Sequence, residues 1–396
     1  MERFSGIKIR DILLDKQNWW NFYLKYKHLI RIAIIINVCK VLMCKTKALG
    51  FHLFKCPSCK AQKKVFHTCK SRFCSSCGKK ATEQWVSKNL SRLPQVPWQH
   101  ITFTLPEELR DFFWLNRNLF NLLIPIPAKI ITQLGKSKHL IPGIFLAVHT
   151  FGRDLKPNVH FHVSITCGGL SLNHQYWVNK FYLYHQTVKD MWKYAVINQL
   201  RNMAKNCQLR LPPQISHITT YAQFNQWLNM LYQKSWVVHL QIPSANHYRN
   251  VKYLGNYLKR PPIAETRINK YDGESVTYSY HDHEENCTSR TTLSVEDFIK
   301  RIIKHIPDNN FRVIRYYNWL SNRTCGGLLP LVFQLINQPS KPSKKVTWYS
   351  LFYSSFGYDP LYCWACDTIM QLINVAFPTK QDILSQHQKV ATILAL

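Results

Sequence analysis

The chain has 396 residues, with 52 Lys and Arg against 21 Asp and Glu and a formal net charge of +31. Hydrophobic residues make up 46% and aromatic residues 13%, which excludes a disordered chain and leaves room for two or three domains with cores of their own. So large a basic excess argues against a neutral surface and for a polyanionic partner.

Residues 1–43 read as basic helices. The first twenty lack the continuous apolar core of a signal peptide, and the apolar run 32–38 lies between Arg31 and Lys40 and contains Asn37. It is too short for a bilayer span and is expected to be a buried helix. The expectation is a cytoplasmic, nucleoid-associated protein that meets no membrane. Residues 1–100 carry 20 Lys or Arg against only Glu2, Asp11, Asp15 and Glu83.

Thirteen cysteines in such a protein point to metal before disulfides. The segment from Cys44 to Cys77 is too dense in Lys, Cys and Gly for a regular helix. Cys56-Pro-Ser-Cys59 and Cys74-Ser-Ser-Cys77 are two C-x-x-C knuckles, which present thiolate pairs from tight turns to a tetrahedral zinc ion. Cys44, His52, His67 and Cys69 are interleaved with them, and eight such ligands suit two ions. The bland alternative is a set of buried free thiols. Near the end, Cys363-Trp-Ala-Cys366 is a lone pair with no second pair close in sequence, and it is left unassigned.

A helix over 82–92 is broken by Pro94 and Pro97, and the β-branched run 100–105 is a strand ended by Pro106. Helical stretches follow to about Leu134. Two apolar runs, 143–151 and 159–166, form a hairpin. In the second run His160 and His162 flank Phe161. Alternate strand residues share a face, so the two imidazoles can meet one metal ion while Phe161 enters the core. The competing reading is a polar, solvated strand face.

Residues 183–204 read as a helix and 236–242 as a strand. Pro243-Ser244 then offers a helix start, with Ser244 as N-cap, and the helix runs to about Lys259 before Pro261-Pro262. Tyr253 and Tyr257, four apart, share a face of it, although core packing would produce the same spacing. Gly255 between them costs about 1 kcal/mol of helix propensity, and a bare face there is expected to admit a DNA backbone. Lys259 and Arg260 follow, where they would bind phosphate. A second hairpin is expected from 266–268 and 276–280, and 339–345 is a linker-like break.

Taken together, these motifs resemble the two-tyrosine HUH rolling-circle insertion-sequence transposases that carry an N-terminal zinc-binding domain. The likeness runs through His149-Thr-Phe-Gly-Arg-Asp154-Leu, Asn158 to Gly169, Tyr253 to Pro262, and the cysteine pattern with Leu49-Gly50 and Arg72. It implies an α+β protein: an antiparallel-sheet HUH endonuclease domain with helices, preceded by a zinc-binding domain. The expected units are a helical and zinc-binding DNA-recognition domain (1–97), an endonuclease and strand-transferase domain (98–320) and a C-terminal extension (321–396).

The implied activity is nicking and rejoining of single-stranded DNA at element termini and target, through 5′-phosphotyrosine on Tyr253 and Tyr257, with Mg²⁺ or Mn²⁺ held by His160 and His162. A third ligand is expected from the neighbouring strand. His149 is favoured over His239, and Asp154 lies in the connecting turn. One or two zinc ions belong to Cys44, His52, Cys56, Cys59, His67, Cys69, Cys74 and Cys77. The family commonly has His where this chain has Phe73, and His67 is the substitute. Lys60, Lys63, Lys64, Lys70 and Arg72 would assist DNA recognition. A rolling-circle replication initiator and a zinc-dependent DNA-binding regulator without catalysis remain the alternatives.

Overall fold

The computed structural model describes residues 6–206, 209–258, 261–282, 286–339, 353, 359 and 361–395, without the side chains of 253, 254, 256–258 and 392–395. Its centre is an antiparallel sheet. The strands are β3 (Trp98–Thr104), β4 (Leu140–Phe151), β5 (Pro157–Ser171), β6 (Trp177–Asn179), β7 (Val238–Leu240) and β11 (Ile314–Tyr317), in the order β11-β4-β5-β3-β7 with β6 on the end of β5. The predicted 143–151/159–166 hairpin is its spine. Gly152 N–H donates to the Lys156 carbonyl at 2.9 Å and Asp154 Oδ1 accepts from Lys156 N–H at 3.0 Å, which closes the turn.

Strand alternation divides this sheet chemically. One face carries Ile101, Phe103, Leu146, Val148, Phe161 and Val163, and packs into a core with Trp192 and Leu200 of α8 (His185–Asn206) and Leu228 of α9 (Tyr221–Gln233). The opposite face carries His100, Thr102, Ala147, His149, His160, His162 and Ser164, brought level by the pairings His149↔His160, Ala147↔His162, Thr102↔His162 and His100↔Ser164.

At the N-terminus, α1 (Ile9–Leu14), α2 (Asn18–Tyr26) and α3 (Ile32–Leu42) share a second core with α11 (Val295–Lys304) and the small sheet β8 (Ile268–Tyr271), β9 (Ser275–Asp282) and β10 (Cys287–Ser294). Helix α11 is set by its ends. Ser294 Oγ accepts from Asp297 N–H, with acids in the first turn and Arg301 and Lys304 in the last. The run 32–38 is the buried helix expected, although Ile32 itself is exposed. The Lys25–Glu296 (2.8 Å) and Arg31–Asp308 ion pairs cross from the first 43 residues to residues 296–308.

The cysteine-rich segment has more regular structure than its composition predicts. It contains the hairpin β1 (Phe51–Lys55) and β2 (Gln62–Phe66), and α4 (Ser75–Arg92) starts seven residues before the predicted 82. The far end of the chain returns here. β12 (Gln371–Ala376) pairs with β1 in a third sheet, and α13 (Lys380–Ala395) packs on α2 and α3. Among the described residues no helix is long and apolar enough to cross a membrane.

Candidate active site and metal centres

The ligand atoms of His149, His160 and His162 all lie within 4.8 Å of one another. Two of these residues come from alternate positions of β5 and the third from the β4 residue opposite His160. Their ring centroids are 4.7–5.2 Å apart. His160 Nδ1 is 3.0 Å from the Asn158 carbonyl; its N–H donates there, which leaves Nε2 as a lone pair for a metal. Burial pushes the His160 imidazole down to about 4 and holds His162 well below its ordinary value. Neutral rings are what coordination requires. Of the rival third ligands, Asp154 is occupied in its turn, and His239 is exposed on β7, opposite Thr102.

Helix α10 (His247–Leu258) packs at its start against the same face. Its N-cap is Asn246, whose Oδ1 accepts from Arg249 N–H at 2.9 Å. Ser244, the expected cap, is instead still in the sheet, bridged to Trp98. Two contacts fix the helix. Val251 packs in one cluster with Trp85, Phe145 and Ala147, and Ala147 is the register partner of His162. Asn250 is buried and donates to the Ser244 carbonyl at 2.8 Å, and burial pushes the imidazole of His100, on the adjoining strand, down to about 4. Tyr253 and Tyr257 follow Asn250 by three and seven positions, along one stripe of the helix. Their side chains lie outside the described residues, as do Lys259 and Arg260.

Gly255 does not serve a bare, DNA-facing surface. It is buried against α4, where an added Cβ would stand 2.3 Å from Val86 Cγ2 and 3.5 Å from Thr82 and Trp85. With His247 Nε2 3.0 Å from the Leu90 carbonyl, the two helices run antiparallel. The N-terminal end of α4 is the knuckle Cys74–Cys77, so the helix that carries the tyrosines rests on one that begins in a cysteine group.

Among the described residues, eight cysteines form two groups of four: Cys44, Cys69, Cys74 and Cys77, and Cys56, Cys59, Cys363 and Cys366. In the first, the sulfurs are 3.5 Å (Cys69–Cys77), 3.7 Å (Cys44–Cys77) and 4.0 Å (Cys44–Cys74) apart. Four thiolates around tetrahedral zinc at about 2.3 Å stand about 3.8 Å apart, so the spacing fits. Hydrogen bonding with Cys44 holds Cys77 down and pushes Cys69 up. Such a group cannot ionise fully without a cation.

His52 and His67 belong to neither group. Their rings meet each other, with Nδ1 and Nε2 2.8 Å apart, and His67 stacks on Phe377 with centroids 4.1 Å apart. Cys44 and Cys69 complete the site of the last knuckle, where His67 was expected, and the two places given to His52 and His67 among the eight ligands go to the unassigned pair Cys363 and Cys366, which proximity in sequence could not reveal. Asn250 and His100 were also missed; their only signal is the helical spacing from Asn250 to Tyr253. Of the basic residues, Lys60, Lys64 and Lys70 are exposed, Lys63 is half-buried on β2, and Arg72 is half-buried against a cavity of about 70 Å³ that Phe151 and His305 also line.

Residues 143–326 match a family model described as "Putative transposase", and residues 16–105 match one described as "Transposase zinc-binding domain". The chain is 35% identical, over 84% of its length and 82% of the relative's, to the transposase for insertion sequence element IS801 of Pseudomonas savastanoi pv. phaseolicola. It is 26% identical, over 71% of its length and 73% of the relative's, to "Putative transposase y4qJ" of Sinorhizobium fredii. No solved structure matches it.

Proposed function

The chain belongs to the two-tyrosine HUH insertion-sequence transposases with an N-terminal zinc-binding domain, and from that premise we propose that it nicks single-stranded DNA at the ends of its element and rejoins it to a target strand by a rolling-circle route. The observation that carries this reading is the lie of α10. The helix with both tyrosines packs at its start against the sheet face that holds His149, His160 and His162, with Val251 in one cluster with Ala147 of that face and Asn250 buried on the Ser244 carbonyl.

In this reading His149, His160 and His162 hold a divalent cation. The donor set fits one, because the ligand atoms of the three imidazoles lie within 4.8 Å of one another and burial keeps His160 and His162 neutral. All-nitrogen coordination is unusual for Mg²⁺ and favours Mn²⁺ in vitro. When bound, the ion polarises the scissile phosphate and offsets its developing charge. One tyrosine, Tyr253 or Tyr257, supplies the nucleophile. Its phenol oxygen forms a bond to phosphorus, the bond from phosphorus to the 3′-oxygen breaks, and the departing oxygen leaves as a hydroxyl with the proton that the phenol gives up. The product is a 5′-phosphotyrosine and a free 3′-end, with no oxidant or nucleotide consumed. Attack by a 3′-hydroxyl on that linkage reverses the step and joins strands. The second tyrosine lets the protein hold two 5′-ends during transfer. A free phenol titrates at about 10, so the attacking tyrosine must give up its proton in the step, and a cation held by the three histidines would favour that loss.

The test is incubation with single-stranded terminus DNA and Mn²⁺ or Mg²⁺, followed by a denaturing gel and peptide mapping. A covalent adduct on Tyr253 or Tyr257, lost in the Tyr253→Phe/Tyr257→Phe variant and in chelator, is the expected outcome. Specific DNA binding without an adduct would favour a non-catalytic regulator. An adduct on another residue would sink the assignment of the nucleophiles.

A further inference from the structure

We propose that Cys56, Cys59, Cys363 and Cys366 bind a second structural zinc ion, which clasps the C-terminal segment onto the N-terminal unit. Half of these ligands lie far outside residues 16–105, the span that matches the zinc-binding family. They come from two knuckles more than 300 residues apart in the chain. Each knuckle is built to present sulfur. Cys56 N–H donates to the Ala61 carbonyl at 2.8 Å in one, and Cys363 N–H to the Thr368 carbonyl at 2.9 Å in the other.

The knuckles face each other crosswise, with Cys56 and Cys366 sulfurs 3.4 Å apart and Cys59 and Cys363 sulfurs 3.5 Å apart. All four lie within 4.8 Å of one another. That is the compass of a four-thiolate zinc site and needs no fifth residue. Cys56 and Cys363 are buried with Met370 beneath them, while Cys59 and Cys366 are exposed. Two inner and two outer thiols close a site at a surface.

The neighbouring contacts have the same effect as the clasp. β12 pairs with β1 from Phe51↔Ala376 to Lys55↔Gln371. Gly50, at φ +88, lies where a Cβ would stand 2.0 Å from the Ala376 carbonyl oxygen, so only glycine lets the returning strand approach. Trp19 Nε1–H donates to His387 at 3.1 Å inside the N-terminal core. Among the described residues the core around this site is small: Cys56, Cys363 and Met370, with Phe54 and Ala61 packed against them. A metal is the usual stabiliser of so small a unit.

Elemental analysis of the purified full chain should give two zinc ions, and the Cys363→Ser/Cys366→Ser variant one. The zinc that remains belongs to Cys44, Cys69, Cys74 and Cys77. Retention of two ions by that variant would overturn the proposal. Because the variant could unfold locally, the wild-type protein carries a second test, alkylation followed by mass spectrometry. Exposed Cys59 and Cys366 should resist the reagent in the zinc-loaded protein and react at least about tenfold faster after chelation. Exposed Cys287, on β10 and outside both groups, should react in either state. Fast labelling of Cys366 in the zinc-loaded protein would refute the site. Protection lifted by a reductant and not by a chelator would mean disulfides in its place.

Discussion

His149 is the residue on which the proposed metal site turns, because His160 and His162 alone would leave a cation half-held. It is 5% exposed, stacks on Phe151 with centroids 5.4 Å apart, and meets both other imidazoles edge-on. A purely structural histidine at that place would cost stability when removed, with no change in metal preference. The two roles therefore separate. His149→Ala should lower adduct formation by about a thousandfold, and His149→Asp should recover part of it with a shift toward Mg²⁺, since a carboxylate suits the harder ion. Adduct yields in both metals check this, and unimpaired nicking by His149→Ala would put the third ligand elsewhere.

His305 offers a test by pH at the same scale. It is held between Thr150 Oγ1 (3.2 Å) and the Leu155 carbonyl (3.1 Å), and burial pushes its imidazole from 6.5 down to about 4. The folded pKa is below the unfolded one, so the unfolded chain binds the extra proton between those values. Stability from the neutral ring is complete above about pH 6.5 and is lost as pH falls toward 4, at up to about 1.4 kcal/mol per pH unit. His305→Gln should flatten the wild-type slope of unfolding free energy in that window and leave the slope above pH 7 unchanged. Equal slopes in the two proteins would mean that His305 is charged when folded.

At the scale of elements, the pair α4 and α10 links the first cysteine group to the tyrosines. Gly255 packs directly against α4. Alanine there gains about 1 kcal/mol of helix propensity but places a methyl 2.3 Å from Val86 Cγ2, and overpacking of this kind costs about 1–3 kcal/mol. The clash wins if α4 cannot shift. Gly255→Ala should therefore destabilise the protein and lower strand joining, and adding Val86→Ala should restore both. Thermal unfolding and adduct assays of the four proteins of the cycle measure the coupling, and additive effects would show that the helices do not press on each other.

The sequence made some of these elements legible and hid others for identifiable reasons. The β4–β5 hairpin was readable as two long apolar runs about a turn, and the alternation at His160-Phe161-His162 fixed the shared face of those two imidazoles. The buried face of Gly255 was not readable, since helix periodicity says which residues share a side but not what covers it. Ser244 has the chemistry of a cap, yet its pairing with Trp98 holds it in the sheet and moves the start of the helix to His247. β1 and β2 are five residues each and are interrupted by knuckle turns, so they carry too few alternations to register.

Across the whole molecule, what sequence spacing could not convey is contact between distant segments. Cys363 and Cys366 looked incomplete because their partners precede them by some 300 residues. Helices of the first 43 residues share a core with α11 for the same reason. The charge, by contrast, is a property of the whole chain and was plain from composition. Exposed Lys60, Lys64 and Lys70 extend it over the cysteine-rich unit. If this surface meets phosphates, each contact releases counterions, and the logarithm of affinity for single-stranded DNA should fall with the logarithm of salt concentration by about 0.7 per contact. Replacing the three lysines by alanine should lower that slope by about 2. It should leave the part of the affinity that persists at high salt, where base stacking on aromatic side chains contributes. Anisotropy titrations from low to high salt read both quantities. A wild-type slope near zero would show that the net charge of +31 serves solubility and not DNA, and an unchanged slope in the triple variant would place the binding face away from the cysteine-rich hairpin.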